Sequence, residues 1–262
     1  MLRSIRAGVE YLPPGFDSPR HRHLGAYVTL VLEGSFEQLS YAGRMVLGPG
    51  DILLQPTLDC HSDRMLSKGV DVFRIPWRRT DSFGGIYRGC DIDEILKAAT
   101  HEPEDARLRL AGIFSSRAAA DVTHADWEDT LASRLKIGHT GVEAFANEFG
   151  MSRETVSRGF RRAYGISPSG FQGEIRARKA WMEVMATSKR LCDIAVEVGF
   201  CDQAHMTRAV HALTGLPPAA WRRRKACSMQ LASNDCHGSA RSSAAYTGST
   251  AKQRLYGIAN DQ

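Results

Sequence analysis

The sequence predicts an α+β chain of two domains: an N-terminal β-barrel, then an all-α module built from two helix-turn-helix units. Three observations predict it. Residues 8–78 are short apolar runs cut by glycine and proline, the mark of many short strands. From Asp91 onward apolar residues recur at helical spacing. One pattern, helix, glycine, capped helix, then occurs twice, at 141–164 and at 191–214. The expected boundaries are the β domain at 1–80, a helical linker at 81–122, the double helix-turn-helix domain at 123–225 and a disordered tail at 226–262.

In the first domain, Ala26 to Leu32, Met45 to Leu47 and Asp51 to Leu54 are strand candidates, punctuated by Gly34, Gly43 and Pro49-Gly50. Close spacing of such runs suggests a sandwich or barrel. His21 and His23 stand at i, i+2, so on a strand they share a face, and His61 from a neighbouring strand could complete a His₃ set. The same run, Arg20-His21-Arg22-His23, reads equally well as a solvated loop. In the linker, Ile92, Ile95 and Leu96, then Leu108, Leu110, Ile113 and Phe114, are the apolar candidates, and Pro103 suits a first helical turn. Residues 103–120 are a candidate dimerisation element, with packing inside the monomer as the equal alternative.

Thr123 to Ile137 should open the helical domain, with Trp127, Leu131 and Leu135 covering the first unit. Each unit then starts with apolar residues at i, i+3, i+4, i+7: Val142, Phe145, Ala146, Phe149, and Leu191, Ile194, Ala195, Val198. Gly150 and Gly199 stop them, Ser152 and Asp202 can cap the next helix, and Gly165 and Gly215 end it. The second helix of each pair has two unlike sides. Val156, Phe160 and Ala163, and Met206, Val210 and Leu213, are apolar and face inward. Ser152, Arg153, Glu154, Ser157, Arg158 and Arg161, and Gln203, Ala204, Thr207, Arg208 and His211, face away. Such a helix fits the DNA major groove, where Arg pairs with guanine and Gln with adenine. Between the units, Pro168 to Ala186 reads as one connecting helix of 19 residues, about 28 Å long at 1.5 Å per residue. That approaches the ~34 Å of one DNA turn. Arg176, Arg178 and Lys179 on it are candidates for phosphate contact or plain solvation.

Charge agrees. The chain of 262 residues carries a net +5 with a pI near 9.0. Between Ser152 and Arg224 stand 13 Arg or Lys against 6 Asp or Glu, so that third is strongly basic and the remainder slightly acidic. No apolar run suits a signal peptide or a membrane span, so cytoplasm is expected and a membrane is not. The six cysteines form no CxxC pair, which suits reduced thiols, and Cys192 and Cys201 are expected as small buried hydrophobes.

The stretch 125–224 resembles the DNA-binding domain of the AraC/XylS family of bacterial transcription regulators. The matching residues are Gly150-Met151-Ser152, Phe160, Gly165-Ile166-Ser167-Pro168, Arg176-x-x-Lys179-Ala180, Ile194-Ala195, Val198-Gly199-Phe200, Thr207-Arg208, Gly215-x-x-Pro218 and Trp221-Arg222. The family usually has Phe where Met206 and Val210 stand, and Lys at His211. Gly15-x5-His21-x-His23-x3-Tyr27-x6-Gly34, with Gly43-x5-Pro49-Gly50-Asp51 and His61, resembles the two cupin motifs. The resemblances imply a cupin-like sensor barrel whose pocket is lined by His21, His23, Tyr27 and His61. They also imply a small-molecule effector, and double-stranded DNA read by both second helices. RNA polymerase is a partner if the protein activates, and a homodimer is a candidate. No catalytic residues and no cofactor are expected. Metal-binding cupins usually carry Glu where this chain has Tyr27, so a metal on His21, His23 and His61 is the alternative to a metal-free pocket.

Overall fold

Ten strands are present among the described residues. They are β1 (Leu2–Arg3), β2 (Gly8–Leu12), β3 (Asp17–His23), β4 (Ala26–Glu33), β5 (Phe36–Ser40), β6 (Gly43–Leu47), β7 (Ile52–Gln55), β8 (Cys60–Met65), β9 (Val70–Trp77) and β10 (Gly85–Tyr87). The computed structural model describes residues 2–3, 7–66, 69–77, 84–120, 126–138 and 141–225. One sheet has the order β1-β3-β8-β5-β6 and the other β10-β7-β4-β9-β2. The β1–β3 pair is parallel and the other pairs are antiparallel. The chain crosses between sheets at every step except β5–β6 and β9–β10, as in a cupin-like jelly roll. Leu12, Val31, Phe36, Leu47, Leu53, Met65 and Val72 fill the space between the sheets. The barrel thus extends past residue 80, because β10 lies in the stretch expected as linker and pairs with β7.

Helices α1 (Ile92–His101) and α2 (Pro103–Ser116) follow. Asp91 caps α1 by accepting from Asp93 N and Glu94 N, and Pro103 opens α2. Ile95, Ala106 and Leu110 pack against Val28, Leu30, Ile52, Leu54 and Phe73. Phe114 sits 5.3 Å from the Trp77 ring and 4.7 Å from Tyr87. Most of the expected apolar stripe therefore covers the protein's own sheet, while Leu108 stays exposed.

The helical domain comprises α3 (Trp127–Ile137), α4 (Val142–Glu148), α5 (Arg153–Tyr164), α6 (Pro168–Ala186), α7 (Leu191–Glu197) and α8 (Gln203–Thr214), with a further helical run from residue 218. Gly150 (φ 64°) and Gly199 (φ 82°) adopt the left-handed backbone that lets each chain reverse within a few residues. In both units the turn closes with the same bond, Met151 N to Ala146 O at 2.9 Å and Phe200 N to Ala195 O at 2.8 Å. The second turn is one residue longer, since Gly199-Phe200-Cys201-Asp202 replaces Gly150-Met151-Ser152. Phe200 turns inward and Cys201 is pushed into solvent, so Cys201 is not the buried hydrophobe expected, and Cys192 is only half-buried.

Ser152 and Asp202 cap α5 and α8, accepting from Thr155 N at 3.1 Å and His205 N at 2.6 Å. Val156, Phe160 and Tyr164, then Met206, Val210 and Leu213, are buried in one core with Phe145, Phe171 and Trp181. Gly159 is where Trp127 crosses α5, and a Cβ there would lie 2.5 Å from the indole. The tail at 226–262 and the start of the helix expected from Thr123 lie outside the described residues.

The two domains share that core. Leu39, Tyr41, Leu58 and Cys60 of the barrel belong to it with Phe160, Tyr164 and Phe171. Polar bonds accompany the packing. Arg20 Nη2 lies 2.6 Å from Glu174 Oε2, the Tyr41 hydroxyl donates to the same oxygen at 3.0 Å, and Arg178 Nε donates to Thr57 O at 2.8 Å. The connector α6 is therefore the surface on which the barrel rests.

Candidate nucleic-acid interface and sensor sites

The outward faces of α5 and α8 remain uncovered by the barrel. Ser152, Arg153, Glu154, Arg158 and Arg161 are exposed and Ser157 is half-buried; Gln203, Ala204 and Arg208 are exposed and Thr207 is half-buried. The apolar stripe of each helix anchors it, so these side chains stand on fixed scaffolds. His211 is exposed beside them, on the last turn of α8. The three cations of the connector separate. Arg178 is buried at 8% exposure and bonded to Thr57, so it is neither solvated nor on a phosphate-facing surface. Arg176 donates to Gly199 O at 3.1 Å and braces the second turn. Lys179 is exposed and donates to Lys136 O at 3.3 Å.

The run Arg20-His21-Arg22-His23 is strand, not loop, and its period of two sorts the side chains. The histidines point into the barrel and the arginines toward the helical domain. His21 pairs directly across from His61 in the register of β3 and β8. The His21 Nε2 to His23 Nε2 distance is 3.1 Å, and the Tyr27 hydroxyl is 3.2 Å from His61 Nε2. All four residues of the expected pocket are thus brought together, as a packed cluster closed by their own rings. Burial first, then the neighbouring His21, holds His61 well below the usual imidazole range, so it is neutral at neutral pH. Asp63 lies next to it, Oδ2 at 3.9 Å from His61 Nε2, and burial pushes its carboxyl up against the opposing bond from Gln38.

Sequence reasoning missed a second site. A cavity of about 290 Å³ opens between barrel and connector, with Gln55 and Asp59, which both contact His61 Nδ1, in its lining. Met45, Leu53, Leu54, Ile175, Met182 and Val198 give it an apolar wall, and Lys136, Arg178 and Lys179 bring positive charge, with Asp59 and Glu183 opposing. The Arg178 Nη2 atom is buried and has no acceptor among the described residues. Its only signal in the sequence is the Arg178-Lys179 pair, which the amphipathic pattern of α6 does not assign to either face.

Asp59 at the cavity wall gives a pH prediction. Burial pushes its carboxyl up to about 6 from 3.8, with Arg178 and Arg20 pulling the other way. A raised carboxyl favours the fold below its unfolded pKa, and that stabilisation is lost as pH rises through the folded value. The shift corresponds to roughly 3 kcal/mol. Asp59→Asn is expected to raise the melting temperature at pH 8 and to leave it nearly unchanged at pH 4; equal shifts at both pH values would refute a buried carboxylate penalty.

Residues 145–224 match the family model described as "Helix-turn-helix domain". The virulence regulon transcriptional activator VirF of Yersinia enterocolitica is 35% identical over 75 residues, 29% of this chain and 28% of that protein. The HTH-type transcriptional regulator ExsA of Pseudomonas aeruginosa is 32% identical over 81 residues, 31% of this chain and 29% of that one. The matched segment spans under a third of the length of these relatives. Among solved structures, unsaturated fatty acid-bound ToxT from Vibrio cholerae aligns at a TM-score of 0.37 and 10% identity, covering 83% of this chain and 94% of that one. An AraC-type DNA-binding domain protein from Chromobacterium violaceum aligns at 0.33 and 23% identity, covering 37% and 88%.

Proposed function

We propose that residues 145–224, which match the helix-turn-helix family model, form a DNA-binding domain of the AraC/XylS type, and that the chain is a sequence-specific transcriptional regulator whose barrel senses a small molecule. The observation that carries this is the pair of capped helices α5 and α8. Each is anchored by an apolar stripe and presents an uncovered polar face. Arg153, Glu154, Ser157, Arg158 and Arg161 read one half-site, and Gln203, Ala204, Thr207 and Arg208 the other, in successive major grooves. Ser152 and helix-start amides hold phosphates, so affinity falls with salt. The protein acts on cytoplasmic DNA and has no catalytic role.

The cavity against α6 is the effector site on this reading. Its apolar wall and the unsatisfied Arg178 Nη2 suit an organic anion with a hydrophobic body. A molecule there touches barrel and connector together, and so can shift the arrangement of the two reading helices.

Selection of bound duplexes from a random pool tests the reading. The expected product is two unlike motifs about one helical turn apart, with enrichment changed when hydrophobic carboxylic acids are added. Recovery of sequences with no shared motif would sink it.

A further inference from the structure

The two units of the helical domain each pack on α6 and are joined by it. A lone rod about 28 Å long lets a slight bend shift one reading helix against the other. The barrel supplies a second tie, placed at the last turn of each reading helix. At the end of α8, Gly215 N bonds to His211 O and Leu216 N turns to Thr214 Oγ1, so Ala212 O is left without a donor from its own helix. Arg22 of β3 fills that place, its Nη2 donating to Ala212 O at 3.1 Å. A cation there also suits the negative end of the helix dipole. At the end of α5, the Arg20 stem packs beside Gly165, its Cβ 3.6 Å from where a Gly165 Cβ would stand. Arg44 of β6 reaches the same end through Asp129, which also accepts from the Tyr164 hydroxyl.

Both arginines meet on one carboxylate. Arg20 Nη2 lies 2.6 Å from Glu174 Oε2, and Arg22 Nη1 lies 3.8 Å from Glu174 Oε1. Arg20 and Arg22 stand two apart on a strand, so their Cα atoms are about 6.8 Å apart and their side chains share a face. The strand itself is paired on both sides, to β1 and to β8. Gly165, Arg20, Glu174, Arg22 and Ala212 therefore form a continuous brace from the end of α5, across α6, to the end of α8. The groove-entering parts of a reading helix lie toward its start, so the brace can stay in place while DNA is bound.

We infer that β3 is a spacing gauge: Arg20 and Arg22, drawn to Glu174, fix the separation and phase of α5 and α8, which makes Arg22 and Glu174 positioning residues for operator spacing that do not touch DNA. This rests on the regulator reading above and adds to it which residues set the distance between half-sites. One extra base pair moves the second half-site by about 3.4 Å and turns it by roughly 35°. A braced pair of helices can meet that change only by distorting the duplex, whereas a loose pair can follow it.

The test uses the full chain and duplexes with the two selected half-sites at their selected spacing, or with one base pair inserted or removed. By fluorescence anisotropy at fixed salt, the parent chain is expected to lose about tenfold in affinity on either change, and Arg22→Ala and Glu174→Gln only about twofold. Affinity for a duplex bearing the α5 half-site alone should stay as in the parent, which a general loss of folding would not allow. The Arg22 side chain is 24% exposed, so Arg22→Ala carries the result if Glu174→Gln fails to fold. Amide exchange at the last turn of α8 should quicken in Arg22→Ala as that end frays. A parent chain that tolerates the altered spacings, or variants that keep its full penalty, overturns the gauge. Unchanged exchange at the end of α8 overturns the Arg22 tie. A chain that selects no shared motif overturns the regulator reading and the gauge with it, while quickened exchange would still uphold the tie.

Discussion

Replacing Asp129 with alanine is expected to cost the fold about 3–5 kcal/mol, the usual penalty for stripping one partner from a buried polar network. Asp129 on α3 is fully buried. One of its oxygens accepts from the Tyr164 hydroxyl at 2.7 Å and the other from Arg44 Nε at 3.0 Å. Arg44 in turn bonds Glu37 at 3.0 Å. The single carboxylate thus joins the end of α5 to the barrel. Burial first, and then Asp129 itself, pushes the Tyr164 phenol well up, so it remains a donor throughout the physiological range. Without Asp129, the buried phenol loses its acceptor and the Arg44 Nε loses its own, while the guanidinium keeps Glu37. Urea unfolding of Asp129→Ala against the parent chain measures the loss. A change under 1 kcal/mol would mean that water reaches the network and that the domains are less tightly joined than their shared core indicates.

The second large effect is on DNA. Arg158→Ala combined with Arg208→Ala is expected to weaken binding to the selected site by about 2–6 kcal/mol, since each base-reading arginine contributes roughly 1–3 kcal/mol. The two residues stand on different helices with no shared partner, so their effects should add. Fluorescence anisotropy at fixed salt, on the selected duplex and on a scrambled one, separates reading from charge. Loss confined to the selected duplex supports base reading. Equal loss on both duplexes would assign the arginines to phosphates instead.

Much of this arrangement was legible in the chain. The helical domain was the clearest because its periodicity, caps and glycines agree at every level: Ser152, Asp202, Gly165 and Gly215 each do what their positions imply. The histidine cluster was also visible, since a period of two on a strand places His21 and His23 together. The arginines between them were not, because what an outward strand residue meets depends on the neighbouring domain. Glu174 and Asp129 were invisible for the same reason: an acid on a helix looks solvated until its partner arrives from 85 or more residues away. The residue added in the second turn was present in the sequence, but only the packing of Phe200 reveals that Cys201 turns outward.

That added residue bears on direction. Paired readers related by a twofold axis see the same pattern from either end of the duplex. Here the two prongs differ in turn length and in the side chains they offer, and both belong to one polypeptide. Seated on its operator, a single chain would have a head and a tail, and reversing the operator beside a promoter would turn the whole molecule around.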